Sequence, residues 1–348
     1  MWQVTGQKRA VSLFQRSLET GGVSHAYLFT GPAHSGKMNL ARELAKAVNC
    51  TGADAPCGVC DSCRKIDDLK HADVRIIGLN SNDTAEDAKS KTEISIDQIR
   101  QIQHSANLPP FEGKYKVFII ENAELMSTEP ANSLLKTLEE PEAKVIFILL
   151  AVDAKQLLET VVSRCQPVEM VPVPFREIED ALVSKHGLEP ERAALLARLS
   201  RGWFGWAVTA ADDADLMERR DEMLDRVIEV MEADCETRFA WSAQVAGKFA
   251  GDRQYVYERL DLWLDWWRDM LMIKAGLIDN VTNINRLDEL KEAAEPRTLF
   301  QIRQFISSLQ SAEAQLRQNA NPRLVLDVLM LDVPAAVNRK ETAVSDSR

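Results

Sequence analysis

The chain has 348 residues, is 45% hydrophobic and 27% charged, and carries a formal net charge of −11. That length allows two or three globular domains, and no apolar run approaches the roughly 20 residues that span a bilayer. An acidic chain gains little from phosphate counterion release over its whole surface, so a protein or a nucleotide is a better first candidate for a partner than nucleic acid.

The first stretch, MWQVTGQKRAVSLFQRSLETGG, mixes charge into an amphipathic helical pattern. It lacks the apolar core and cleavage site of a secretion signal, so a cytoplasmic protein with no membrane partner is expected. AYLF (26–29), VRII (74–77), KVFII (116–120) and KVIFILL (144–150) then read as strands, with a short fifth near QPVEMV (166–171). These runs are continuous rather than alternating, as strands covered on both faces are. Between them MNLARELAKAVN, ISIDQIRQIQHSA and EPANSLLKTLEE read as helices. Alternation of this kind implies βαβ units and a parallel sheet.

Beyond about residue 172 the strand signal stops. FREIEDALVSKHG and EPERAALLARLS are short helices with Gly187 and Gly202 as stops. In residues 216–231, Leu216, Met223, Leu224, Val227, Ile228 and Met231 share one helical face. Leu299, Ile302, Phe305, Leu309, Ala312 and Leu316 do the same further on, with Pro296 suited to that helix's start. The stretch LWLDWWRDMLM supplies three tryptophans, read as core or subunit interface. The expected layout is an α/β domain over 1–171, a small helical domain over 172–210, an all-helical domain over 211–337 and a frayed polar tail over 338–348.

Three places carry chemistry. GPAHSGKM follows the first strand and opens a helix, which is the setting of a phosphate cradle. Backbone N–H groups and the helix N-terminus attract phosphate, with Gly31 and Gly36 shaping the loop and Lys37 reaching the β and γ oxygens. Hydrolysis at such a loop also needs a hydroxyl after the lysine to hold Mg²⁺, and an acid pair at a second strand end. Met38 offers no oxygen to a hard cation. Glu121 stands where an Asp commonly helps hold the metal, and Asn122, an amide, cannot take a proton from water. Glu121 and Glu124 also read simply as solvated acids at a strand end. ATP or ADP therefore finds a weak cradle without a proper metal site.

Cys50, Cys57, Cys60 and Cys63 form C-x6-C-x2-C-x2-C. Four cytoplasmic thiols this close match a closed, tetrahedral structural zinc site. An iron–sulfur cluster uses the same ligands, and His71 is an alternative ligand. Cys165 and Cys235 read as ordinary thiols. In KQLLETVVSRCQP a helix over 155–162 would leave Arg164 at a surface edge. There it either pairs with an acid or, as a permanently charged planar fork, faces a phosphoryl group.

Taken together, HAYLFTGPAHSGK, the four-cysteine insertion, ISIDQIRQIQ, PFEGKYKVFIIENAELM, ANSLLKTLEEP, VVSRCQP and NANPRLVLDVLML resemble, in matching order, the delta-prime subunits of bacterial DNA polymerase III clamp loaders, within the AAA+ superfamily. The resemblance implies an AAA+ sheet domain with a zinc module, a helical lid and a helical collar. The related gamma/tau motors keep Ser or Thr after the loop lysine, an Asp-Glu pair, and a sensor Arg where this chain has Trp206. The departures imply a non-motor subunit whose Arg164 acts as an arginine finger on a neighbour's ATP. Implied partners are gamma/tau and delta subunits, and through them the sliding clamp and primer–template DNA. The competing reading is an active gamma/tau-type ATPase.

Overall fold

The computed structural model describes residues 2–79, 93–142 and 144–334. The expected tail over 338–348 lies outside the described residues. The chain divides into two compact units, Met1–Gly187 with Gly202–Val208, and Leu188–Arg201 with Thr209–Arg348.

The first unit runs α1 (Lys8–Glu19), β1 (Ala26–Thr30), α2 (Lys37–Asn49), α3 (Asp61–Asp67), β2 (Val74–Ile77), α4 (Ile96–Ala106), β3 (Lys116–Ile120), α5 (Thr128–Glu139), β4 (Val145–Ala151), α6 (Glu159–Val162), β5 (Gln166–Glu169) and α7 (Phe175–His186). The strands form one sheet in the order β2-β3-β4-β1-β5. Every pairing is parallel. Alternate residues of each central strand feed opposite faces. Leu28, Phe118, Ile120, Phe147 and Leu149 pack with Ile99 and Ile102 of α4 and Leu134 and Leu138 of α5. Tyr27, Phe29, Val117, Ile119 and Ile148 pack with Phe14 of α1 and Leu40, Leu44 and Val48 of α2. Two covered faces explain why the central strands β1, β3 and β4 are apolar along their length apart from Thr30 and Lys116 at strand ends, and each fully buried large side chain contributes about 1.5–3 kcal/mol.

One expected helix is not continuous. Residues 154–156 form a single 3₁₀ turn, capped where the Asp153 carboxylate accepts the Lys155 N–H at 3.0 Å. Leu157 and Leu158 are extended, and Leu157 turns into the core, so α6 starts only at Glu159.

The second unit contains α8 (Pro190–Leu199), the end of α9 (Phe204–Asp212), α10 (Ala214–Glu232), α11 (Cys235–Lys248), α12 (Arg253–Lys274), α13 (Leu287–Ala294), α14 (Leu299–Arg317) and α15 (Pro322–Asp332). Its core is built on the tryptophans: Trp263, Trp266 and Trp267 are fully buried, and Trp267 lies 4.5 Å from Phe305 between ring centroids. Leu224, Val227 and Met231 of α10 and Ile302, Phe305, Leu309 and Leu316 of α14 join that core. Leu299 does not; it sits in the first turn of α14 and is exposed. Pro296 lies upstream of that helix, which opens instead on a Thr298–Gln301 capping box. Buried Asp269 accepts N–H groups from Thr282 and Asn283 at 2.8 Å each, and Asn283 in turn accepts from Arg220 at 2.8 Å. No described helix is long and apolar enough to cross a membrane.

Candidate functional site

The phosphate loop occupies the end of β1, between its neighbours β4 and β5. The Gly31 N–H bonds to the carbonyls of Ala151 and Val152 at 3.2 Å, which ties the loop to the end of β4. Gly36 caps α2 with φ 89°, a left-handed conformation in which a side chain costs about 1–2 kcal/mol. The loop backbone thus turns tightly from β1 into α2. Lys37 then turns back onto it, donating from Nζ to the Gly31 carbonyl at 2.6 Å and to the Pro32 carbonyl at 2.7 Å. Burial lowers the Lys37 pKa, and the Glu124 and Glu121 carboxylates push against that shift.

Met38 does not point a substitute ligand at the loop. Its side chain is half-buried against the apolar layer that holds Leu40 and Phe29. Across the sheet edge, Glu121 follows β3 and is exposed. Asn122 has φ 51°, and Asn is among the residues that tolerate this left-handed state best. Its backbone turns the chain into the 3₁₀ segment Ala123–Leu125. Glu124 is more than a solvated acid: one of its oxygens is buried with no hydrogen-bond partner, and its charge acts on Lys37 more strongly than that of Glu121. Periodicity could not find this, since the 3₁₀ turn sets where the side chain goes. The backbone of Gly205, in the first turn of α9, lies directly against the loop: a Cβ there would come within 2.5 Å of the His34 carbonyl. Trp206 follows it in that turn.

The four cysteines converge. Cys50 caps the C-terminus of α2, and Cys60 caps the N-terminus of α3. All four Sγ atoms of Cys50, Cys57, Cys60 and Cys63 lie within 4.8 Å of one another. A tetrahedron with metal–sulfur bonds of about 2.3 Å has edges of about 3.8 Å, close to the 4.0 Å between Cys50 and Cys60 Sγ. Backbone N–H groups aim at the sulfurs: Gly52 and Cys57 at Cys50, and Cys60 at Cys57, each at 3.3 Å. Such donors suit thiolates, so the donor set fits a metal ion. Burial pushes the Cys60 thiol up, but hydrogen bonds from Thr51 and Cys63 outweigh it and bring it to about 5. Burial raises Cys63 to about 12.

His71 is not in the cluster. Its Nδ1 accepts the Asp73 N–H at 3.2 Å, which leaves the proton on Nε2, 3.1 Å from the Ser62 hydroxyl. It braces α3 rather than offering a ligand. Lys114 donates to the Cys50 carbonyl at 2.6 Å, a cation at the negative end of α2. Cys165 is a buried core thiol, and Cys235 is exposed at the start of α11.

Arg164 lies one residue before Cys165, in the turn that closes α6, and Gln166 then starts β5. Buried Val161 and Cys165 root this turn, while the Arg164 side chain is about a third exposed (34%). β5 runs parallel to β1, with Gln166 opposite Tyr27 and Glu169 opposite Thr30. Gln166, where β5 starts, is level with Tyr27, four residues and roughly 13 Å at 3.3 Å per residue before Gly31, and Arg164 lies two residues further back in the turn, so Arg164 sits by the starts of these strands and Gly31 at their ends. The structure brings Gly31, Gly36 and Lys37 together and gathers the four cysteines, and it places Arg164 at the other end of the sheet from the loop.

Residues 6–174 match the family described as DNA polymerase III, delta subunit. Over 326 residues the chain is 29% identical to the DNA polymerase III subunit delta' of Bacillus subtilis, covering 93% of this chain and 95% of that protein. It is 35% identical over 218 residues to the DNA polymerase III subunit tau of Escherichia coli, 61% of this chain but only 32% of that longer protein. A DNA polymerase III gamma subunit-related protein of Thermotoga maritima superposes with a TM-score of 0.40 at 20% identity, covering 93% of this chain and 98% of that one.

Proposed function

Residues 6–174 belong to the DNA polymerase III delta subunit family, and from that premise we propose that the chain is a non-motor, delta-prime-type subunit of a cytoplasmic clamp loader. In this reading Arg164 is an arginine finger for the ATP of an adjacent gamma/tau-type subunit. The observation that carries it is the position of Arg164 at the end of the sheet opposite the chain's own phosphate loop. A guanidinium seated there serves a phosphate presented by another molecule, where its planar, permanently charged fork stabilises the charge of phosphoryl transfer.

The chain's own loop is poorly equipped for turnover. Lys37 is spent on the carbonyls of Gly31 and Pro32, Met38 packs into the core, and Asn122 offers no base. ATP or ADP, if bound, would rest on the loop N–H groups and Lys37 without a hydroxyl for a metal ion. Cys50, Cys57, Cys60 and Cys63 would hold zinc, which with four protein ligands has no open position and cross-links the segment between α2 and α3. The segment 172–210 serves as the lid and 211–337 as the collar through which the chain joins gamma/tau and delta subunits. The assembled complex, not this chain alone, would engage the sliding clamp and primer–template DNA.

The test is reconstitution with gamma/tau and delta subunits. Arg164→Ala is expected to leave assembly intact and to lower ATP turnover at the site it serves by on the order of 10³-fold. An unchanged rate in a verified complex refutes the finger. A second reading, an active ATPase, draws on the intact cradle and Lys37. It requires magnesium-dependent turnover by the isolated chain that Lys37→Ala abolishes; the expected result is none.

A further inference from the structure

Arg164 is not free at the surface. One terminal nitrogen, Nη2, lies 2.6 Å from Oε1 of Glu139. The other, Nη1, donates to the Thr160 carbonyl at 2.8 Å and to the Ser163 hydroxyl at 3.3 Å. Both prongs of the fork are thus engaged within the chain. A carboxylate and a phosphoryl group compete for the same donors, since each offers two oxygens to a planar guanidinium.

Glu139 is not placed to stabilise its own helix. It is the last residue of α5, where the helix dipole disfavours an acid, and its side chain is half exposed. Helix stability alone would favour a cation there. We propose that Glu139 is a parking acid for Arg164: it holds the finger folded against its own subunit until a neighbour's phosphate displaces it. This deepens the trans-finger reading and rests on it. The pair is exposed enough for solvent to weaken it, so it is a latch that a multiply charged phosphate displaces. Val161 and Cys165 stay buried, which keeps the base of the finger fixed while its tip changes partner.

Glu139 acts through Arg164 and is a positioning residue. The test uses the reconstituted complex with Arg164→Ala, Glu139→Gln and the double variant. Glu139→Gln keeps the shape and removes the charge. It is expected to raise kcat for ATP about two- to fivefold with KM unchanged, because the finger acts in the transition state and an exposed pair is worth that much. The double variant is expected to match Arg164→Ala. Proton exchange from the Arg164 guanidinium, followed by NMR in the isolated chain, is expected to be faster in Glu139→Gln than in the parent, and Glu139→Asp to fall between them. A rate that is unchanged or lower in Glu139→Gln, while Arg164→Ala still cripples turnover, overturns the parking acid and leaves the finger standing. If Arg164→Ala itself has no effect, the finger reading fails and this inference with it. Should Glu139→Gln fail to assemble, equal guanidinium exchange in parent and Glu139→Asp overturns the proposal on its own.

Discussion

Helix α2 ends in the phosphate loop on one side and in the cysteine cluster on the other. At its N-terminus the main chain carries the structure: Gly36 takes a left-handed conformation, Gly205 packs its bare backbone on His34, and the Met38 side chain packs half-buried against the apolar layer. At its C-terminus the side chains carry it: four sulfurs converge, and the connecting segment contains only the short helix α3. A loop defined by backbone geometry can tolerate a change of the side chains around it. A module defined by ligands cannot lose even one and stay closed.

The largest effect should come from breaking the ligand-built end. Replacing Cys57 and Cys60 with Ser, or removing metal by chelation, is expected to forfeit metal-coupled folding energy on the order of 10 kcal/mol. Amide exchange should accelerate through Asp61–Asp67 while the N-terminal turns of α2 stay protected; uniform exchange along both would erase the distinction. At the backbone-built end, Gly36→Ala should destabilise by about 1–2 kcal/mol in denaturant titration. A Cβ there meets nothing nearer than the Met170 Cε at 3.9 Å, so the cost isolates the left-handed backbone. A negligible change would show that the glycine is not what shapes the loop.

Restoring one lost group tests the same contrast from the other side. Met38→Thr supplies the missing hydroxyl but withdraws a half-buried side chain from the core, and a loss of about 1 kcal/mol is expected. Glu121 and Asn122 are unchanged, so the isolated chain should still show no magnesium-dependent turnover, and any such turnover would mean that the single hydroxyl was the missing part.

The smallest effect concerns the turn that supports the cysteine end. Burial works against the Asp73 carboxylate, but N–H groups from Phe111, Gly113 and Glu112 outweigh it and hold its pKa below the ordinary range. A carboxylate depressed in the folded state stabilises above its unfolded pKa of about 3.9, and that contribution is lost as pH falls through the lower folded value. The amides of Phe111, Glu112 and Gly113 should therefore lose protection in acid, and Asp73→Asn should remove that pH dependence. Lys114, which caps the Cys50 carbonyl, is next in the chain.

Much of this was legible in the residues. The five strand runs and the helices between them follow from local periodicity. The tight loop between β1 and α2 follows from glycine spacing after a strand, and the convergence of the cysteines from their spacing, because each depends on neighbours within a few positions. The exceptions were also local in origin: a helix expected over 155–162 broke where Asp153 caps a turn and Leu157 enters the core.

What only the tertiary structure decided is which distant residues meet. The order β2-β3-β4-β1-β5 places Arg164 and Gly31 at opposite ends of neighbouring strands, and the packing of α5 beside α6 brings Glu139 to the Arg164 fork. Asn122 reads as a missing base in the sequence and as a residue suited to a left-handed turn in the fold. The physical reason is range. Backbone preference and side-chain spacing act over a few residues and are written along the chain. Strand order, register and the pairing of charges arise from burying both faces of one sheet, a condition satisfied only by the whole chain at once.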